Sequence, residues 1–126
     1  MKKCYLKITT TIDKEESVFF TEGEMQLTPL GGEIQYNDNS SLVRLLLSKE
    51  ILFIQRKGDY DLEILLKEGQ EMVGKIGLGK SEGEVKVKCY KSCFSIKEKS
   101  CLCLCEYVLL FGEEKQRIKL RITARE

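Results

Sequence analysis

The feature that most constrains this chain is a hydrophobic period of two. Cys4, Leu6, Ile8 and Ile12 alternate with Tyr5, Lys7, Thr9 and Thr11, the pattern of a strand with one buried face. Phe19, Met25 and Leu27 share a second parity, with Glu22, Glu24 and Gln26 opposite, and Gly23 among them marks a bulge or sharp bend. The alternation resumes at Tyr60, Leu62, Ile64 and Leu66, and again at Met72, Ile76 and Leu78. It is cleanest at Val85, Val87 and Cys89, with Lys86 and Lys88 between. Phe94 and Ile96, then Cys101 to Phe111, then Gln116 to Ala124 complete the pattern. Breaks fall at Pro29-Leu30-Gly31-Gly32, Asn37-Asp38-Asn39-Ser40 and Gly112-Glu113-Glu114.

One segment admits two readings. In Ser41 to Ile54, Leu42, Leu45, Leu46 and Phe53 fit one helix face, capped by Ser40 or Ser41. Equally, Val43-Leu45-Leu47 and Ile51-Phe53 form two strands around Ser48-Lys49-Glu50. The hairpin is preferred, because a lone helix among short strands would need a cover of its own. About ten short strands, with no long helix, no repeat and no linker, predict an all-β chain. The expected architecture is a single antiparallel domain, residues 1–126, of about 8–10 strands, arranged as a barrel or a sandwich.

Composition narrows the function. Hydrophobic residues at 42% and charged residues at 33% describe a globular chain rather than a disordered one. With 21 Lys and Arg against 20 Asp and Glu, nothing in the overall charge favours nucleic acid or an anionic membrane. The absence of His removes Ser-His-Asp and Cys-His triads and mixed Cys/His zinc sites. Lys7 interrupts the apolar start before any signal-peptide core, and the longest apolar run, Tyr107 to Phe111, is far below a membrane span. Six cysteines without an export signal read as reduced thiols, so a cytoplasmic location is expected.

The chain resembles the YwiB-like family of small bacterial β-barrels. Thr21-Glu22-Gly23, Ile34 and Tyr36, and Arg56-Lys57-Gly58 carry the likeness. So do Glu84 to Val87 after Gly83, Tyr107 and Leu109, and the final Ile118, Leu120 and Ile122. The resemblance implies a closed antiparallel barrel of the calycin, or lipocalin-like, superfamily, and it implies no activity, the family being a domain of unknown function. The chain departs from the family at Asn37-Asp38, where relatives carry an acidic pair, and at Glu82, where they carry an aromatic residue.

Four patterns invite a chemical reading. Gly74-Lys75-Ile76-Gly77-Leu78-Gly79-Lys80-Ser81 spells the phosphate-binding loop G-x-x-x-x-G-K-[ST]. Such a loop needs a helix after it to present N–H groups to phosphate, whereas strand-periodic Val85-Lys86-Val87 follows here. Cys101, Cys103 and Cys105 place three sulfurs on one strand face, about 6.5–7 Å apart. With Cys89 and Cys93 nearby they could hold a soft metal, but no C-x-x-C pair is present and buried packing is the better account, so no metal or other cofactor is expected. Lys115, Arg117, Lys119, Arg121 and Arg125 share one parity of the last strand and read as a solvated face. Glu22 and Glu24 read as surface charge.

No catalytic constellation emerges, so a non-enzymatic barrel is expected. It is expected to bind a small apolar ligand in an interior left roomy by the small side chains of Cys101, Cys103 and Cys105, with Tyr107, Phe94 and Phe53 around them. The alternative is a solidly packed interaction module acting through its outer surface. If the cysteine row points inward, Leu102, Leu104, Val108 and Leu110 point outward and predict a homodimer interface, unless a loop or the N-terminal arm covers them. The phosphate-loop string is expected to be inert. Millimolar magnesium-ATP should leave the melting temperature unchanged, whereas a ligand at about 100 times its dissociation constant would stabilise by about 2.7 kcal/mol. A shift that disappears in Lys80→Ala would reverse this reading.

Overall fold

The computed structural model describes residues Met1–Glu126. Ten strands follow in order: β1 (Lys2–Ile12), β2 (Glu15–Thr28), β3 (Gly31–Asp38), β4 (Ser41–Ser48), β5 (Ile51–Lys57), β6 (Asp61–Lys67), β7 (Glu71–Leu78), β8 (Ser81–Lys97), β9 (Ser100–Phe111) and β10 (Glu114–Arg125). Each pairs antiparallel with its chain neighbour, and β1 pairs with β10 to close the barrel. The expected all-β barrel is observed, and Ser41 to Ile54 is a hairpin, with Leu45 opposite Ile54 and Ser48 opposite Ile51.

The two longest strands turn the corners. β2 pairs with β1 over Glu15 to Met25, but with β3 only from Gly23 to Thr28. β8 pairs with β7 over Ser81 to Lys88 and with β9 over Lys86 to Lys97. Gly23, expected to mark a bulge or bend, keeps regular register and is instead the point where β2 passes from one partner to the other. A Cβ there would lie 2.7 Å from Leu6 Cδ1 and 3.2 Å from Tyr36 Cβ, so the crowding across the strand requires glycine.

A bulge at Tyr90 explains an irregularity in the hydrophobic pattern. Before it, Val85, Val87 and Cys89 are buried; after it, Ser92 is buried and Phe94 and Ile96 pack against the core. The register shifts between Cys89 and Lys91, so one extra residue moves the inward parity from odd to even numbers. What read as two strands is one. Inside the barrel, 24 buried residues form a continuous cluster that includes Leu6, Ile34, Leu45, Leu66 and Ile122. The Gly74-to-Ser81 string runs down β7, over a two-residue turn with Gly79 at φ 63°, and into β8. A strand stands where a phosphate-binding loop would require a helix.

Two-residue turns recur around the barrel, and the β4–β5 turn is strained. Lys49 and Glu50 both have positive φ, 38° and 68°, a conformation suited to an Asn-Gly pair and unfavourable for residues with longer side chains. The double substitution Lys49→Asn, Glu50→Gly should therefore stabilise the protein by roughly 0.5–1 kcal/mol, read as a small rise in the urea midpoint with an unchanged slope.

Candidate binding site at one end of the barrel

At the end of the barrel formed by the β3–β4 and β5–β6 turns, a charged residue stands on the buried parity. Leu52 and Ile54 of β5 are buried, and Arg56 follows them two residues on, so its side chain starts from the inner face. The register builds a row around it. Tyr36 lies opposite Val43, Val43 opposite Arg56, Arg56 opposite Leu62, Leu62 opposite Ile76, and Ile76 opposite Gly83.

The Arg56 guanidinium is held from two sides. Its Nη1 donates to Asp38 Oδ2 at 3.0 Å, and its carbon lies 4.8 Å from the centroid of the Tyr60 ring. Its Nε is buried and has no hydrogen-bond partner. Leaving a buried donor unpaired costs about 1–3 kcal/mol, more for a charged group, so this atom marks a place where an acceptor belongs. Burial works against the charged guanidinium, but the Asp38 hydrogen bond and the neighbouring phenols outweigh it and the group stays cationic.

Two further phenols face this end. Burial raises the Tyr36 pKa, and the Asp38 charge adds to the rise. Burial likewise raises Tyr107, with Tyr60 and Tyr36 contributing. Both remain neutral hydroxyls, able to donate a hydrogen bond at any physiological pH. The β5–β6 turn is locked over the site by close approach. A Cβ on Gly58 would fall 2.6 Å from Ser41 Cα, while Ser41 Oγ accepts from the Asp59 N–H at 3.4 Å and Ser40 Oγ donates to Asp59 Oδ1 at 2.9 Å. Across the row the structure opens. A Cβ on Gly83, which shares the parity of buried Val85 and Val87, would meet nothing within 4 Å. A groove of about 460 Å³ runs along this end, lined by Leu62, Ile76 and Gly83, by the cations Arg56, Lys57 and Lys75 and by the carboxylates Asp61, Glu63, Glu82 and Glu84, within the usual size of small-molecule sites.

The residues expected to bind ligand are distributed differently. Cys101, Cys103 and Cys105 do point inward, joined by Tyr107 and by half-buried Phe94, and all five belong to or pack on the core. Cys103 is only 1% exposed, and neither it nor Cys101 lines any of the principal grooves. Phe53 does not join them. It is out of parity with Leu52 and Ile54, and it lies on the outer face between Leu46 and Leu65, its partners across β4 and β6. Leu102, Leu104, Val108 and Leu110 do lie on the outer parity of β9, but Val108 is only 5% exposed. Lys88 and Arg117 flank it across β8 and β10, and long cationic side chains shelter such positions with their methylene stems. Val108 therefore offers a partner almost no surface.

Arg56, Asp38, Tyr36 and Tyr60 are the residues that sequence reasoning did not single out as a site. The available signal was the charge itself, an arginine on the same parity as Leu52 and Ile54.

Burial keeps most of the thiols chemically quiet; the hydrogen bond with Cys103 draws Cys101 down, but Cys101 is shut away from solvent. Burial pushes Cys89 up to about 11 and Cys105 up to about 12. Cys103 is held high by its contact with Cys101, whose sulfur lies 3.8 Å away, and by burial. Only Cys93, on the outer face of β8, is exposed. Because the thiolate is the reactive form, a thiol reagent at pH 8 should titrate Cys93 rapidly and the other five cysteines only after unfolding. Rapid labelling of two or more sites in the native protein would contradict this arrangement.

No known protein family matches the chain by sequence, and no curated protein matches it. The fold does have a counterpart among solved structures. The crystal structure of the ywiB protein from Bacillus subtilis superposes with a TM-score of 0.83 at 16% identity, covering 98% of this chain and 91% of that one. The resemblance read from the sequence is thus borne out in the fold: this chain and that bacterial protein share one barrel architecture.

Proposed function

We propose that this chain is a non-catalytic binding protein that receives a small molecule with an apolar body and one anionic oxygen group at the Arg56 end of the barrel. The observation that carries this reading is the buried Arg56 Nε with no partner, with the neutral Tyr36 phenol close by. A carboxylate, sulfonate or phosphate oxygen satisfies that donor by a charge-assisted hydrogen bond. Leu62 and Ile76 on the same row supply apolar surface for the rest of the molecule. The ligand sits at the end of the barrel rather than beside Cys101, Cys103 and Cys105, which pack into the core.

Anilinonaphthalene sulfonate, an apolar fluorophore with one anionic group, is a suitable probe. The folded wild type should bind it saturably. Arg56→Met should weaken binding about 10- to 150-fold, matching the roughly 1.5–3 kcal/mol of a hydrogen bond to a charged group. Gly83→Leu should block the probe while leaving the melting temperature nearly unchanged, because its added side chain enters open space. Equal binding by wild type and Arg56→Met, with both shown folded by circular dichroism, would overturn the proposal.

A further inference from the structure

Several stretches of strand have a ladder partner on one side only, and the two longest strands carry the longest of them. β8 beyond Lys88 has β9 on one side and no β7 on the other. That edge is guarded. Exposed Lys91 and Lys97 bracket it, the Glu68 carboxylate accepts from the Ser92 N–H at 3.4 Å, and the Tyr90 bulge distorts its start. β2 from Glu15 to Glu22 has β1 on one side and nothing on the other, because β3 joins only at Gly23. This edge lacks such guards. It carries no proline, no lysine and no bulge, and it exposes Val18 at 49% and Phe20 at 70% on its outer face. It is also rigidly presented. The Asp13 N–H donates to the Arg117 carbonyl at 2.8 Å and Asp13 Oδ1 accepts from the Arg117 N–H at 3.2 Å, tying the hairpin tip to β10.

We propose that the free edge of β2 between Glu15 and Glu22 is a strand-addition site for an extended segment of another protein, with alternating apolar side chains flanked by lysine or arginine. Main-chain hydrogen bonds along the edge supply a sequence-independent part of the binding. Val18 and Phe20, two residues apart on one face, select apolar side chains at alternate positions. Charge selects the flanks. Glu16 precedes the apolar pair on its own face and Glu22 and Glu24 follow it, with Glu15 at the strand start; of these four only Glu22 has an ion-pair partner, Lys3 at 3.1 Å. The same charges disfavour a second copy. A two-fold antiparallel pairing of this edge with itself centred on Phe19 sets Glu16 against Glu22, and like charges directly opposite are destabilising. The site is separate from the Arg56 end and does not depend on the binding proposed there.

The test uses a fluorescein-labelled ten-residue peptide of alternating valine and threonine with two lysines at each end, and a twin with glutamates in place of the lysines. Anisotropy with the full chain should show saturable binding of the lysine peptide, weakened by salt, and at least tenfold weaker binding of the glutamate peptide. Hydrogen exchange should slow at amides within residues 15–22 and nowhere on β8. Phe20→Lys, at an exposed site, should keep the fold by circular dichroism and reduce affinity at least tenfold. Val18→Pro removes an amide on the unpaired edge, which the even-numbered residues face because Glu15 closes the ladder with Ile12 across the two-residue turn, and it is a second variant expected to weaken binding. Equal binding of both peptides, no protection within 15–22, or undiminished binding by folded Phe20→Lys would overturn the proposal. Concentration-dependent dimerisation abolished by Phe20→Lys would overturn it too, by identifying a second copy as the occupant.

Discussion

β1 and β10 lie at opposite ends of the chain, yet Tyr5 to Ile12 pair residue for residue with Ile118 to Arg125. That ladder turns a curled sheet into a barrel. Without it, Leu6, Ile8, Ile122 and Ala124 would lose their cover, and two long strand edges would stand open to association. The remaining ladders are local hairpins, many of them closed by two-residue turns. Closure is therefore the one step whose loop entropy is large, and the whole core depends on its being made.

Closure also decides where the barrel is filled and where it is open. Aliphatic residues and cysteines pack its middle into one cluster. Towards the β3–β4 and β5–β6 turns, the same inward parity brings in Tyr36, Asp38 and Arg56 and, further along the row, glycine at position 83. On that row one buried N–H of Arg56 is left without an acceptor, and Gly83 leaves open space where a side chain would stand. The Gly58 turn, too crowded for a side chain against Ser41, holds the Arg56 strand end in place.

The corners explain the rest of the surface. A barrel in which two strands change partners must leave part of each strand unpaired, and here those parts differ in chemistry. The β8 edge is fenced by lysines and a carboxylate cap, whereas the β2 edge shows Val18 and Phe20 between glutamates. Along β9, by contrast, Val108 and Leu110 are each flanked by cationic residues of β8 and β10.

Period-two alternation and turn residues determined the strands, the absence of helix, the hairpin at Ser41 to Ile54 and the inward set of the cysteine row, because each is a local consequence of pleat and turn geometry. The parity change between Cys89 and Ser92 is visible in the sequence but reads as a break, since a bulge and a turn both interrupt alternation and only pairing with an unbroken β9 tells them apart. Phe53 invites an inward reading because an aromatic ring looks like core, although its parity with Ile51 and Gln55 already places it outside. Arg56 is legible only as a charge on a buried parity; its meaning comes from Asp38 and Tyr60, brought to it from other turns. Pattern along a chain reports which face a side chain takes. The company it keeps there, a paired edge or a free one, a filled row or an open one, is set by contacts between strands distant in sequence, and those exist only once the barrel has closed.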